Sequence, residues 1–206
     1  MVERNTARER RTVPKKSKTI PRIYVDTNVI IDCTEGRNKD SIHLMEQIRE
    51  HNFECITSVF SALEVADNAK ETIFVSKKLR QRWTFNKIRR EVYRKDLNNE
   101  DFKEVEEYIE NKILYPYPFF YITPLDLQGW RSALDLCIHS NVSAPDILHL
   151  ATAWDSKCNV LVTSDDHLIK ESRKLIKKYS QLRKIKLEVC RPNKTIPTLR
   201  KMGFKI

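Results

Sequence analysis

Four carboxylates in this 206-residue chain stand where side chains can do chemistry. Asp26 follows Arg22-Ile23-Tyr24-Val25, a β-branched and aromatic run that reads as a strand buried on both faces, and Thr27 and Asn28 come directly after it. Asp165 ends a second such run, Val160-Leu161-Val162-Thr163-Ser164, with Asp166 beside it. Asp146 falls in the first turn of a helix that Pro145 opens. Glu64 flanks an apolar helical stripe where most glutamates would oppose it. Carboxylates about 5 Å apart repel by roughly 3 kcal/mol per pair at an effective dielectric of about 20, so a cluster of them must take up protons or cations. All-oxygen ligands select hard ions such as Mg²⁺ or Mn²⁺ over zinc. One or two such ions can hold a phosphodiester, activate a water and stabilise the leaving oxygen.

The elements that must position these acids are read from apolar periodicity. Strands are expected at 22–26, 53–56, 119–122, 160–162 and 185–189. Ser41 caps a helix with Ile42, Met45 and Ile48 on one face, and Thr57 or Ser58 caps another with Val59, Ala62, Leu63 and Ala66 facing in. Trp130, Ala133, Leu134, Cys137 and Ile138 give a further apolar helix face. The helix from Asp146 turns Ile147, Leu150, Ala151 and Trp154 inward, and the one after Asp165 carries Leu168, Ser172, Leu175, Ile176 and Tyr179 on one side. Between the second and third strands, residues 76–114 read as an inserted helical hairpin, with Phe85, Ile88 and Val92 on one arm and Phe102, Val105, Ile109 and Ile113 on the other. The alternation of strands and helices implies a mainly parallel sheet with helices on both sides. Ligands in such a sheet lie beyond the carboxyl ends of the strands. Asp26 and Asp165 share that edge, and a helix running antiparallel into the Asp165 strand starts there too, which adds Asp146. Glu64 is placed less directly.

The net charge of +10 is unevenly spread: residues 1–22 carry +6, 170–206 carry +11, and the middle carries −7. The expected organisation is a basic disordered arm over 1–20, one α/β domain over 21–190, and an irregular basic tail over 191–206. The first hairpin arm is strongly basic, and Arg80, Arg89 and Arg90 are candidates for holding a phosphate backbone. Trp83, Tyr93 and Tyr179 are candidates for stacking on bases. The plainer reading is that the basic arm pairs with the acidic second arm. Five scattered cysteines (33, 55, 137, 158 and 190) without a CxxC pair fit reduced thiols. No apolar run is long enough to span a bilayer and no secretory leader is evident, so a cytoplasmic location is expected.

Ile-Tyr-Val-Asp26-Thr27-Asn28-Val-Ile, Ser61-Ala62-Leu63-Glu64-Val65, Ala144-Pro145-Asp146-Ile147-Leu148-His149-Leu150-Ala151-Thr152-Ala153 and Leu161-Val162-Thr163-Ser164-Asp165 together resemble the PIN-domain ribonucleases, with a VapC-like flavour. The resemblance covers about residues 21–190, interrupted by the hairpin. It implies a three-layer α/β/α sandwich and Mg²⁺- or Mn²⁺-dependent endonucleolytic cleavage of RNA, with metal-ligand roles on Asp26, Glu64, Asp146 and Asp165. Thr27 and Asn28 match the polar pair that orients a ligand or phosphate, and Thr163 and Ser164 join them as substrate-binding candidates. The last motif departs from the family pattern: His167 takes the place of a second Asp, and Asp166 is either a further ligand or a helix cap. A small protein antitoxin and a second copy of the chain are the partners implied beside RNA. An inactive RNA-binding scaffold and a DNA-directed nuclease are the competing readings. Asp32 is expected to be structural, His149 a satisfied histidine at the core rim, and His43, His51 and His139 surface residues.

Overall fold

A computed structural model of the protein describes residues 20–179 and 186–206. Residues 1–19, where the disordered arm is expected, and Ile185 lie outside the described residues. Five short strands form one fully parallel sheet: β1 (Arg22–Val25), β2 (Glu54–Ser58), β3 (Phe120–Thr123), β4 (Val160–Val162) and β5 (Glu188–Cys190), in the spatial order β3-β2-β1-β4-β5. β1 is central. Tyr24 pairs in register with Ile56 of β2 and Leu161 of β4, while Ile23 pairs with Cys55 and Val160. Strand residues alternate between faces, so these two rows build two cores.

Tyr24, Ile56, Leu161 and Val189 pack under α6 (Leu127–Ile138), α7 (Ala144–Asp155) and α8 (Asp166–Lys178), through Ala133, Leu136, Ile147, Leu150 and Leu168. Ile23, Val25, Cys55, Val160 and Val162 pack on the other face under α1 (Thr27–Thr34), α2 (Lys39–His51), α3 (Val59–Arg80) and α9 (Thr195–Lys201). The result is the expected three-layer α/β/α sandwich. Chain order runs from β1 outward to β2 and β3, then returns to β4 on the far side of β1. The topological switch point is therefore the crevice between the carboxyl ends of β1 and β4, the place where open α/β sheets hold ligands.

Several expectations shift. α2 starts earlier than Ser41, with Asn38 as its cap. On α3 the buried row is Ser61, Val65, Ala69 and Ile73, whereas Val59 and Leu63 are exposed. The chain enters α3 directly from β2 through the Ser58 cap, and the small side chains of Ser61 and Ala69 let that face approach the sheet. On α6 the apolar face is rotated: of the expected stripe only Ala133 is buried, with Cys137 packed against the core. Gly129, Ala133 and Leu136 face in, while Leu127, Trp130, Leu134 and Ile138 are 69%, 54%, 62% and 65% exposed.

The segment after Arg191, expected to be an irregular tail, forms a 3₁₀ turn at Pro192–Lys194 and then α9, which buries Ile196 and Leu199 in the second core. The hairpin is real but begins inside α3, which continues as one 22-residue helix to Arg80. α4 (Phe85–Glu91) and α5 (Asn99–Ile109) follow, and a π-helical turn runs from Glu110 to Leu114. Asn98 and Asp101 form a reciprocal capping box at the start of α5. Val105 packs on Ala69 and Ile73 in a small satellite core, and Lys77–Asp101 and Lys95–Asp67 ion pairs close the two arms. Among the described residues no helix is long and apolar enough to cross a membrane.

Candidate functional site

Four helices begin at the carboxyl edge of the sheet, each with a polar cap: Asp26 for α1, Ser58 for α3, Ser143 for α7 and Asp165 for α8. Their unpaired N–H groups make this the electropositive end of the backbone, which suits a concentration of acids. A groove of about 570 Å³ opens here. Asp26, Thr27 and Asn28 form its floor, α7 contributes Pro145, Asp146 and His149, and one face of α3 supplies Phe60, Leu63, Glu64, Asp67, Asn68 and Glu71. Five carboxylates line it, with no lysine or arginine among the lining residues.

Asp26 is the most enclosed of them, at 3% exposure. Its Oδ1 accepts from the Thr27 amide at 2.7 Å, and its Oδ2 accepts from Asn28 Nδ2 at 2.7 Å and Thr163 Oγ1 at 2.6 Å. Burial raises its pKa above the ordinary value, against the opposing pull of His149, Thr163 and the Thr27 amide. Glu64 lies across the floor. Burial works to raise its pKa, but hydrogen bonds from His149 and Thr27 prevail and hold it below the usual value. Asp146 is half-buried and accepts from Ser143 Oγ at 2.7 Å. These three carboxylates reach one groove from three elements, and the set of hard oxygen donors fits Mg²⁺ or Mn²⁺. As arranged, no group of three or more acids, histidines or cysteines among the described residues closes around a single point.

The remaining predicted site residues fall into two groups. Thr27, Asn28, Thr163 and Ser164 are at the site, but their polar groups are engaged with protein. Thr27 Oγ1 donates to Glu64, and Asn28 Nδ2 donates to both Asp26 and Thr163. The Ser164 amide donates to Asn28 Oδ1 at 2.9 Å, and Ser164 Oγ donates to Asp32 at 2.9 Å. They orient the acids and each other. Asp32 is accordingly structural.

Asp165 stands one bond removed, its amide donating to Thr163 Oγ1 at 3.0 Å. Its Oδ1 caps α8 through the His167 and Leu168 amides, and the residue is not among those lining the groove. Asp166 is exposed and paired with Arg191, whose guanidinium holds the carboxyl below its usual range. Of the two readings of Asp166, the cap falls to Asp165 instead, and the last segment of the chain engages the Asp166 carboxylate.

Arg80, Arg89 and Arg90 do not line the groove either. Arg80 shares α3 with Glu64 but sits 16 residues further on, roughly 24 Å along a helix that rises about 1.5 Å per residue. Trp83 is covered by Lys78 and Lys87, whose ammonium groups lie 4.5 and 3.8 Å from its ring centroid, whereas Tyr93 is exposed. Cysteine chemistry is remote: Cys33, Cys55, Cys158 and Cys190 are buried, and burial pushes the Cys33 and Cys158 thiols up to about 12.

The residue that sequence reasoning undervalued is His149. It is buried at 3% exposure between Asp26 and Glu64, with Nε2 at 3.2 and 3.1 Å from their oxygens. Burial lowers its pKa, but Glu64 and Asp26 outweigh that and raise it. The signal was its i+3 spacing from Asp146, which sets both side chains on one side of α7. The acidic face of α3 was also legible, since Glu64, Asp67 and Glu71 repeat at helical spacing.

A family model described as PIN domain matches residues 23–174. No curated protein matches the chain in sequence. Among solved structures, FitAcB from Neisseria gonorrhoeae aligns at 18% identity and a TM-score of 0.48, covering 82% of this chain and 97% of that one. VapBC2 from Rickettsia felis, bound to a DNA fragment from its promoter, aligns at 13% identity and 0.48, covering 81% and 98%. Both scores lie below 0.5, and the sequence match alone carries the assignment.

Proposed function

Because this chain belongs to the PIN domain family, we propose that it is an endoribonuclease in which Asp26, Glu64 and Asp146 hold Mg²⁺ or Mn²⁺. The observation that carries this reading is the groove at the switch point: five acids and no lysine or arginine line it, and Asp26 is buried at its floor. A phosphodiester cannot approach such a surface without a compensating cation. When bound, the ion supplies that charge, acidifies a water and stabilises the leaving oxygen.

The protein's own residues do the rest. Asn28 and Thr163 hold one oxygen of Asp26 and the Thr27 amide holds the other, so the carboxylate is fixed before anything binds. Thr27 Oγ1 ties Glu64 to the same floor. Phe60 and Leu63 give the groove an apolar wall. The polar side chains that hold the acids leave no serine or cysteine free as a nucleophile in the groove lining, which favours attack by water.

The acidity of the groove also fits a protein inhibitor of the antitoxin kind that inserts basic side chains. The exposed apolar stripe of α6 (Leu127, Trp130, Leu134 and Ile138) fits a second copy of the chain. The decisive experiment is cleavage of labelled RNA and DNA oligonucleotides in Mn²⁺, Mg²⁺ or EDTA. The expected result is divalent-dependent endonucleolytic cutting of RNA, lost in Asp26→Asn and Asp146→Asn variants that remain folded. Cutting that survives in EDTA or in those variants overturns the proposal. Preferred cutting of DNA redirects it to a deoxyribonuclease, and tight RNA binding without cutting in any divalent ion replaces it with the scaffold reading.

A further inference from the structure

Asp26 and Glu64 repel each other, yet the proposed reaction needs both held still. Between them lies the His149 imidazole, with Nε2 at 3.2 Å from Asp26 Oδ1 and 3.1 Å from Glu64 Oε2. The ring is boxed in: its centroid is 5.5 Å from that of Phe60 and 6.0 Å from that of Tyr24. Its other nitrogen, Nδ1, is 2.9 Å from the Tyr24 hydroxyl.

A neutral ring that accepts the Tyr24 proton at Nδ1 and a protonated ring that donates from Nδ1 to the Tyr24 oxygen both place an N–H on Nε2, where it faces two carboxylate oxygens. Ser61 Oγ lies 3.3 Å behind Tyr24, and Ser58 Oγ lies 2.9 Å behind Ser61. The row therefore joins β1, α3 and α7, the three elements that carry Asp26, Glu64 and Asp146.

We propose that His149 is a positioning residue of this site: seated behind the carboxylates, it sets the separation of Asp26 and Glu64 and fixes one oxygen of each, while Tyr24 fixes the ring. Both ring nitrogens are used within the protein, so the imidazole leaves metal contact to the oxygens. Because His149 stands one turn after Asp146 on α7, that helix presents one acid to the groove and clamps the other two. The functional arm of this inference rests on the proposed hydrolysis; the geometric arm does not.

The test compares the full chain with Tyr24→Phe, His149→Leu and His149→Gln, whose amide nitrogen takes the place of Nε2. In the metal-free protein, ¹⁵N NMR is expected to show a His149 Nε2 proton protected from exchange, with that protection lost in Tyr24→Phe. With Mn²⁺ followed by EPR, His149→Leu is expected to bind roughly 10- to 100-fold more weakly, the usual cost of losing a group that orients a ligand. His149→Gln recovers most of that affinity, and kcat falls in the Leu variant with KM little changed. If His149→Leu does not fold, Tyr24→Phe carries the same test with a smaller loss. An unprotected Nε2 proton overturns the inference, as does Mn²⁺ affinity that is unchanged or tighter in the variants. A wild-type protein with the protected bridge but no Mn²⁺ binding supports the clamp and overturns the hydrolase reading instead.

Discussion

Thr163→Val removes one hydroxyl from the floor of the groove and very little volume. That hydroxyl is fully buried; it donates to Asp26 Oδ2 at 2.6 Å and accepts from Asn28 Nδ2 at 2.9 Å and the Asp165 amide at 3.0 Å. A hydrogen bond to a charged group contributes roughly 1.5–3 kcal/mol, and a stranded buried donor costs roughly 1–3 kcal/mol. Asn28 keeps its bond to Asp26 but loses the partner of its second N–H, and the Asp165 amide loses its own; both residues are partly exposed, and the expected loss at neutral pH is about 3 kcal/mol. That is a large share of the roughly 5–15 kcal/mol by which domains are stable.

The loss must depend on pH in a definite direction. Burial already raises the Asp26 pKa above 3.8, and Thr163 is one of the groups that restrain it. A group whose pKa is raised by folding contributes stability below its unfolded value and loses it as pH rises through the folded value. Removing the restraint raises the folded value further. The Thr163→Val deficit is therefore largest at neutral pH and shrinks on acidification toward 3.8. Urea unfolding across that range measures it as a shift in midpoint at unchanged m-value. A deficit below about 0.5 kcal/mol, or one that is constant with pH, would show that Asp26 is not held as an ionised group and would refute the reasoning.

The pKa of Glu64 is held below 4.5, so its contribution is present above that pH and is lost as pH falls through the folded value. Wild-type stability should accordingly fall more steeply on acidification than that of Glu64→Gln, read by urea unfolding. Asp165→Ala should cost about 1 kcal/mol through loss of the α8 cap, and Asp165→Asn should restore most of it because Asn caps well. Thermal or urea unfolding distinguishes the pair. Leu199→Ala should destabilise by roughly 2–5 kcal/mol, whereas a variant in a loose tail would change nothing measurable. Trp130→Glu should shift a dimer to monomer in sedimentation velocity while leaving the circular dichroism spectrum unchanged.

The strand-end acids were readable from sequence because a doubly buried strand, a polar cap and a following helix leave little freedom in where Asp26 and Asp165 go. Pro145 with Asp146 was equally constrained, since proline tolerates the first turn of a helix and little else. Faces were harder. α3 and α6 are apolar on more than one side, and periodicity alone does not say which side meets the sheet. Ser61 and Gly129 decided it, because small residues permit close approach. α9 was hidden by its charge: Arg200 and Lys201 made a helix that buries Ile196 and Leu199 look like tail. His149 was hidden by its neighbours, since a histidine on an apolar face is ordinarily a satisfied core group and only the folded site shows two carboxylates meeting at one ring nitrogen.

Apparent boundaries in the sequence suggest that residues 76–114 could be cut out to leave a smaller enzyme. The continuity of α3 argues otherwise. The helix that seats Glu64 in the groove also forms one side of the hairpin, where Ala69 and Ile73 take Val105 and Lys77 takes Asp101. Excision would end α3 partway along and strip the cover from Ala69 and Ile73. The free stump would fray back toward Glu64, one turn at a time. The hairpin acts as a splint on a 22-residue helix, and a partner that grips it some 20 Å from Glu64 has a rigid shaft leading to a carboxylate of the site.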